Sequence, residues 1–279
     1  MRWTPGGSSD NVEDRRGMGS SGMKMGGGAG IGAILVVLFL SWLTGRDLTS
    51  MLGLLSDGGG TSESSSVPTG VPARDEAGQF ATFVLNDTQE RWAKILGSDY
   101  RQAKLVLFTD ATESGCGFAQ AATGPFYCPA DEKVYIDLGF FDELHRRFGA
   151  PGDFAQAYVL AHEIGHHVQN VLGIEREMRR AQQANPRAAN DLSVRMELQA
   201  DCFAGVWGHE ADRDVLDPGD VEEGLAAAAS IGDDNLQKQA GQRVSPESFT
   251  HGSSQQRVSW LRRGLEQGTV ESCDTFKVQ

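Results

Sequence analysis

The fold is decided by the stretch Ala161-His162-Glu163-Ile164-Gly165-His166-His167, which places a His-Glu-x-x-His pattern inside an apolar run. The surrounding pattern predicts a helix over residues 154–171, and in it His162 and His166 share one face. Two neutral imidazoles on one face can bind Zn²⁺ at about 2.0–2.1 Å, and Glu163 is then placed to take a proton from a water that the metal activates. The alternative is a core helix that happens to carry three histidines. His167 cannot share the metal-binding face, and we expect it to be structural or solvent-exposed.

A second predicted helix, over residues 192–209, supplies the acidic partner of this motif. Glu197 and Asp201 are spaced i, i+4, so both carboxylates project from one face. A catalytic zinc site usually has three protein ligands, and we assign Glu197 as the third. Asp201 then accepts the Nδ1–H of a zinc-bound histidine and fixes its tautomer. The reversed assignment stays open, as does a pair of solvated surface acids, although apolar neighbours make this helix look buried.

Size and charge narrow the class of protein. The 279 residues and 30.0 kDa allow one catalytic domain and a tail. A net charge of −13 argues against non-specific binding of nucleic acid through a basic surface, so no nucleic-acid partner is expected.

The four cysteines lack the C-x-x-C spacing of a zinc or redox site. Cys116 and Cys128 flank a loop that contains glycine and proline, and we pair them locally, which leaves Cys202 with Cys273. Four buried free thiols, as in a cytosolic protein, are the alternative.

The N-terminal quarter predicts a membrane attachment. Residues 1–25 are Gly/Ser-rich and charged, and we expect a disordered cytoplasmic leader. Residues 26–45 carry no charge and are long enough to span a hydrocarbon core of about 30 Å. We favour a transmembrane signal anchor over a cleavable signal peptide or a buried core helix, because the apolar region starts late and no cleavage site follows. Residues 46–73 predict a flexible linker, and residues 74–279 the catalytic domain.

The distribution of charge predicts the orientation of that anchor. Arg15, Arg16 and Lys24 precede the apolar run, which places the N-terminus in the cytoplasm. A single-pass protein would then have its catalytic domain outside the cytoplasm, where disulfides persist.

Short strands are predicted between the first helix of the domain and the motif helix. Helical spacing predicts a helix that ends at Gly97, and β runs follow at 105–108 and 133–137. The turn-rich segment 115–129 between them predicts a loop. The strand at 133–137 either holds an extended substrate by edge pairing or belongs to an ordinary sheet that packs on helices.

The combination of motifs resembles a known family. The pattern from His162 to Asp201 resembles the gluzincin class of metallopeptidases. More closely, the N-terminal anchor, the Gly-rich leader and the stretches HEIGHH and ELQADCFAG resemble the bacterial putative neutral zinc metallopeptidase family over nearly the whole chain. This resemblance implies a membrane-anchored zinc peptidase with an α+β, mainly helical zincin-like catalytic domain and a small β-sheet.

A further similarity is to the membrane-associated CAAX-protease and heat-shock-protease group. That group carries a Ser/Thr-His-Pro segment with an arginine six residues after the histidine. This sequence has Thr250-His251-Gly252 and Arg257 at the same spacing, but Gly252 replaces the proline. His251 precedes a predicted helix at 255–267, where it is placed to stabilise an oxyanion; without the similarity, a lone loop histidine is more often a surface residue.

The leading hypothesis is a zinc metalloendopeptidase in which Glu163 acts as base and His251 assists, with a peptide or protein substrate. The second hypothesis is a non-catalytic, membrane-tethered zinc-binding protein, and the third is a zinc amidase that acts on the cell wall. Glu163 favours an enzyme, because a structural zinc site has no use for this carboxylate and favours a closed shell of four ligands.

Overall fold

A computed structural model describes residues 1–5, 9–17, 75–148, 152–212 and 214–277. Residues 1–15 belong to the same compact unit as the chain from Pro68 onwards. The expected transmembrane segment at 26–45 and the linker lie outside the described residues. Within the described ranges, no helix has both the length and the apolar character that crossing a membrane requires.

The architecture is α+β and mainly helical, as the sequence predicts. The helices are α1 Glu76–Leu96, α2 Gly139–Phe148, α3 Asp153–Val171, α4 Ile174–Ala184, α5 Ala189–Ala211, α6 Asp220–Ser230, α7 Asp233–Gln239 and α8 Ser254–Gln267. The strands are β1 Val12–Asp14, β2 Lys104–Phe108, β3 Ala111–Ser114, β4 Gly117–Gln120, β5 Phe126–Cys128 and β6 Lys133–Asp137.

The described strands form one four-stranded sheet and one separate hairpin. The order in the sheet is β1-β2-β6-β5, with β1, β2 and β6 parallel and β5 antiparallel to β6, while β3 pairs with β4. The predicted strands β2 and β6 are confirmed. Since β6 is paired on both sides, it cannot offer an edge to a substrate; β5 is the edge strand on that side of the described sheet.

The expectation of a loop over 115–129 is wrong, because β4 and β5 lie within it. Its glycines and prolines indicate turns, and these turns connect very short strands. Pro125 and Pro129 flank β5 directly, and an edge strand tolerates prolines at its ends because it needs fewer ladder hydrogen bonds than a central strand.

The expectation of a disordered leader over 1–25 is wrong for the residues that the structure describes. Val12 is fully buried and pairs with Leu105. The Trp3 ring packs edge-on against Phe80, with ring centroids 5.2 Å apart. Glu13 accepts a hydrogen bond from Lys133 at 2.7 Å. Composition failed here because a three-residue strand is stabilised by distant partners and not by its own sequence.

Small residues let the central helices approach closely. A Cβ on Gly165 of α3 would lie 2.9 Å from the carbonyl oxygen of Ala200 in α5. A Cβ on Gly205 of α5 would lie 2.2 Å from the carbonyl oxygen of Leu261 in α8. The helix α5 is thus held between α3 and α8 at distances that only glycine permits at these crossings.

Both predicted disulfides are confirmed. Cys116 pairs with Cys128 and ties the β3–β4 hairpin to the edge strand β5. Cys202 pairs with Cys273 and ties α5 to the C-terminal segment. The predicted α8 is confirmed too: Ser253 caps it, and its hydroxyl accepts from the backbone N–H of Gln256.

Candidate metal centre

The helices α3 and α5 bring three potential ligands together. One ligand atom from each of His162, His166 and Glu197 lies within 4.8 Å of the other two. The Glu197 carboxylate faces both imidazoles, with Oε2 3.2 Å from His162 Nε2 and Oε1 3.5 Å from His166 Nε2. The convergence follows from the i, i+4 spacing on α3 and from the close α3–α5 crossing at Gly165.

Each metal-facing histidine is fixed from behind by a second residue. His162 Nδ1 donates to Asp201 Oδ1 at 2.9 Å, and His166 Nδ1 donates to Gln169 Oε1 at 2.8 Å. Gln169 in turn donates to the carbonyl oxygen of Met196 at 2.7 Å, which orients its amide. A neutral imidazole that donates through Nδ1 leaves the lone pair of Nε2 free, and this nitrogen faces Glu197 in both histidines.

Asp201 is the centre of a buried polar cluster. Arg257 donates to both of its carboxylate oxygens, through Nε at 2.9 Å and Nη2 at 2.8 Å. The Tyr158 hydroxyl donates to Oδ1 at 2.6 Å. Burial raises the pKa of Asp201, but Arg257 and then His162 outweigh this effect and lower the pKa to about 2. Asp201 therefore stays ionised and keeps accepting the proton of His162 Nδ1.

The electrostatics of the ligands favour a bound cation. Burial lowers the pKa of His162, but Asp201 and then Glu197 reverse the effect and raise that pKa to about 9. Burial raises the pKa of Glu197, but His166 and His162 hold it well below its ordinary value. The negative charges of Asp201 and Glu197, which raise the pKa of His162, also attract a metal cation. The attraction favours binding at the point where the Nε2 atoms of the two histidines converge.

Glu163 and the ligands line a single cleft of about 610 Å³. Glu163 is buried, with 8% of its surface exposed, and it opens into the cleft together with His162 and His166. Aromatic and apolar residues line the same cleft, namely Phe126, Tyr127, Phe140, Val159, Ile231 and Leu236. The cleft therefore combines a metal-binding end, a carboxylate beside it and an apolar wall next to the edge strand β5.

The structure places His251 at the cleft as well, held by Asp233. The carboxylate of Asp233 accepts from His251 Nδ1 at 3.2 Å and from the backbone N–H groups of Thr250, His251 and Gly252 at 2.8, 2.7 and 3.1 Å. The hydrogen bond to Asp233, only partly opposed by burial, raises the pKa of His251. Gly252 has a φ of +93°, which proline cannot adopt. This loop conformation is therefore incompatible with the proline of a Ser/Thr-His-Pro segment.

His167 is structural and not solvent-exposed. Its ring is fully buried, Nε2 donates to the carbonyl oxygen of Arg101 at 2.6 Å, and Nδ1 accepts from the Tyr127 hydroxyl at 3.0 Å. Asn170 also donates to that hydroxyl, at 2.9 Å. The back of the motif helix thus holds Tyr127, and with it the edge strand β5, beside the cleft.

Sequence reasoning missed several of these contacts. Asp233 belongs to a polar segment that composition indicates to be solvated surface, and Tyr158 occupies a core position of the helical pattern. Gln169 lies three residues after His166, a spacing at which side chains meet on a helix, so its contact had a local signal. The contacts of Asp233 and Tyr158 are made to distant residues and had none.

The residues present fit a zinc ion. Two imidazoles and one carboxylate are the donor set of a catalytic zinc site with an open position. Both imidazoles have the outer hydrogen-bond partners that zinc-binding histidines require. The fold and this site together define the class: an α+β protein with a candidate zinc site on a His-Glu-x-x-His helix and an acidic ligand from the next long helix.

Comparison with known proteins leads to the same class. The family model described as Putative neutral zinc metallopeptidase matches residues 1–276. The chain belongs to this family, which confirms the resemblance drawn from its motifs and implies Zn²⁺ as the metal and peptides or proteins as substrates.

Relatives are found in different bacteria. The chain is 48% identical to the uncharacterized protein YpfJ of Escherichia coli strain K12 over 287 residues, which covers 99% of each. It is 43% identical to the uncharacterized protein Rv2575 of Mycobacterium tuberculosis strain H37Rv over 203 residues, 68% of each. No solved structure gives a significant match.

Proposed function

We propose that this protein is a zinc-dependent endopeptidase that acts on the outer side of the cytoplasmic membrane. The observation that carries the proposal is the convergence of His162, His166 and Glu197 within 4.8 Å of one another in a cleft that also holds Glu163. A ligand set alone would serve a structural metal. A buried carboxylate next to that set, open to a cleft of about 610 Å³, serves hydrolysis.

His162, His166 and Glu197 would hold the metal, and Asp201 would keep His162 in the Nδ1–H tautomer. Bound zinc supplies a Lewis acid that activates water and polarises a carbonyl group. The protein contributes the geometry. The two Nε2 atoms and the Glu197 carboxylate are oriented before a substrate arrives, because partners on α3 and α5 fix the imidazoles.

Glu163 carries the proton in the proposed reaction. Its carboxylate takes a proton from the attacking water as the oxygen adds to the peptide carbonyl carbon, and later gives the proton to the leaving amine as the C–N bond breaks. His251, whose pKa is raised by Asp233, donates a hydrogen bond to the oxyanion that forms at the carbonyl oxygen. Both side chains line the cleft.

The substrate would bind as an extended peptide along β5. In the described sheet β5 is paired only with β6, so its other edge is available for main-chain hydrogen bonds. Phe126 and Tyr127 of this strand line the cleft, and His167 fixes Tyr127 from behind. The apolar wall favours peptides with large apolar side chains near the cleaved bond.

The proposed location rests on the disulfides and on the apolar run at 26–45. Two disulfides are stable in an oxidising compartment and rare in a reducing cytosol. The run at 26–45 has the length and composition of a membrane-attachment segment. Both features support a location of the catalytic domain next to a membrane and outside the cytoplasm.

The test compares substitutions of two acidic residues that should differ in their effects on zinc content and turnover. Glu163→Gln keeps shape and hydrogen bonding but cannot take a proton, so it should bind one zinc per chain and lose nearly all turnover. Glu197→Gln replaces an anionic ligand with a weaker neutral one, so zinc content and turnover should fall together. Glu175→Gln is the matched control, because Glu175 lines the same cleft but lies outside the ligand set.

The measurements are zinc content and cleavage of an unbiased peptide library by the full-length chain. A fragment that begins at residue 74 is unsuitable, because it lacks the strand β1. If Glu163→Gln cleaves peptides like the parent protein, the proposed mechanism is wrong. If the parent protein binds zinc and cleaves nothing in the library, the non-catalytic zinc-binding function is favoured.

A further inference from the structure

We propose that strand β1 and the metal centre lie on the same side of any membrane to which the protein attaches. The inference is independent of peptidase activity. It rests on contacts that the described residues 1–17 make with described residues of the domain.

The first observation is backbone pairing. β1 is parallel to β2 in the register Val12 to Leu105 and Asp14 to Leu107. The backbone N–H of Leu105 donates to the carbonyl oxygen of Asn11 at 2.7 Å, and that of Arg15 donates to Leu107 at 2.8 Å. Hydrogen bonds of this length require both strands in one continuous sheet. A bilayer with a hydrocarbon core of about 30 Å cannot separate them.

The second observation is burial around β1. Val12 is fully buried against the domain core, and Trp3 packs on Phe80 and Phe83 with ring centroids 5.2 and 6.3 Å away. Removing this segment from the domain would expose apolar surface of the core to water, which is unfavourable. The N-terminal segment is therefore part of the domain and not a loosely attached arm.

The third observation is charge pairing. Glu13 is buried, with 8% of the residue exposed. Its carboxylate accepts hydrogen bonds from Lys133 at 2.7 Å and from Arg15 at 2.8 Å. Lys133 belongs to β6, which is separated from β1 by β2 in the sheet. Because a buried carboxylate needs such partners, this contact fixes the position of β1 relative to β2 and β6.

The consequence for the chain is topological. A single crossing would leave β1 on one side and the domain on the other, which breaks the ladder. Two complete helical crossings need two apolar runs of about 20 residues, and the sequence between 46 and 74 contains no second run of that length: its apolar-rich part ends at Leu55, and Gly/Ser/Thr-rich sequence follows from 57 onwards. The described residues at the two ends of the interval 18–74, Gly17 and Asp75, therefore lie on the same side of a membrane.

The test labels the full-length protein in spheroplasts with a membrane-impermeant maleimide, before and after lysis. One variant carries Asp10→Cys beside β1 and another carries Glu266→Cys on α8, both at exposed positions. The native cysteines are paired in disulfides, and the parent protein without an added cysteine is the control for any labelling of them. We expect both variants to label in the same state. Labelling of one before lysis and of the other only afterwards would overturn the inference.

The outcome also separates this inference from the proposed location. If both positions label only after lysis, β1 and the domain share the cytoplasmic side, and the location proposed above is wrong while the shared side stands. A charge reversal checks that β1 is paired in the same full-length protein. Glu13→Lys should lower the melting temperature, and adding Lys133→Glu should recover part of the loss; if Glu13→Lys melts like the parent, β1 is not in the sheet.

Discussion

Gly165 sets the spacing between the two helices that hold the ligands, so Gly165→Ala should weaken zinc binding more than it weakens the fold. The residue lies between His162 and His166, where α3 crosses α5. An added Cβ would lie 2.9 Å from the Ala200 carbonyl oxygen and 3.1 Å from its Cα, against an ordinary contact of at least 3.4 Å. The helices must therefore separate by about 0.5 Å at this crossing. Glu197 lies one turn before Ala200 and moves with it.

The size of the effect follows from the tolerance of metal sites. Ligand distances are held to within about 0.2 Å, so a separation of about 0.5 Å exceeds what the site accepts. We expect zinc affinity to fall by about 10–100-fold, the range found when the outer support of a ligand is lost. The added methyl group costs about 1–3 kcal/mol of overpacking, but alanine gains about 1 kcal/mol over glycine in a helix. The net loss of unfolding free energy is then about 0–2 kcal/mol.

The assay is a zinc titration against a competing chelator, with denaturant unfolding of the zinc-free protein measured in parallel. Gly208→Ala is the matched control: it lies in α5, and its Cβ would meet the Leu265 Cδ2 atom at 2.6 Å, at the end of a flexible side chain that can move aside. The control should bind zinc like the parent protein. If Gly165→Ala binds zinc within about twofold of the parent, the close crossing does not set the ligand spacing.

Three further predictions concern stability and pH. Replacing Cys202 and Cys273 by alanine should lower the unfolding free energy by about 3–5 kcal/mol in denaturant, since their disulfide closes a long loop; an unchanged midpoint would contradict this. Arg257→Gln should cost about 3–5 kcal/mol in the same assay, because it leaves a buried carboxylate without its cation; a cost below about 1 kcal/mol would mean that other donors compensate. In a kcat–pH profile, the contribution of cationic His251 should be present at low pH and lost as pH rises through its raised pKa, and Asp233→Asn should move that loss to lower pH. If Asp233→Asn moved this loss to higher pH, the hydrogen bond from His251 to Asp233 would not be its cause.

The parts of the structure that sequence predicted are those with a local signal. The i, i+4 spacing of His162 and His166 fixes their common face on any helix, and the same spacing places Glu197 and Asp201 together on α5. The apolar periodicity of α1 and the Ser253 cap of α8 are local in the same sense. Cysteine pairing could be predicted because one pair closes a short turn-rich segment and only one partner remained for each other cysteine.

The parts that sequence did not predict depend on distant partners. Strand β1 has three residues and no periodicity, and its pairing with β2 is visible only in three dimensions. Asp233 lies in a polar segment, yet it organises the loop of His251 from 18 residues away. The prolines around β5 indicate turns and conceal an edge strand between them. In each case the stabilising contact is tertiary, and local propensity is a weak guide to it.

The place of β1 in the sheet also determines the order in which the domain can be assembled. Val12 is synthesised early, but its partner Leu105 follows 93 residues later. Closing so long a loop is entropically unfavourable, and contacts of high sequence separation form slowly. During synthesis β1 must wait without a partner, and β2 has an open edge until β1 arrives. A domain that completes its sheet with its first strand therefore has a late and vulnerable folding step, at which an unpaired β2 edge can bind another chain.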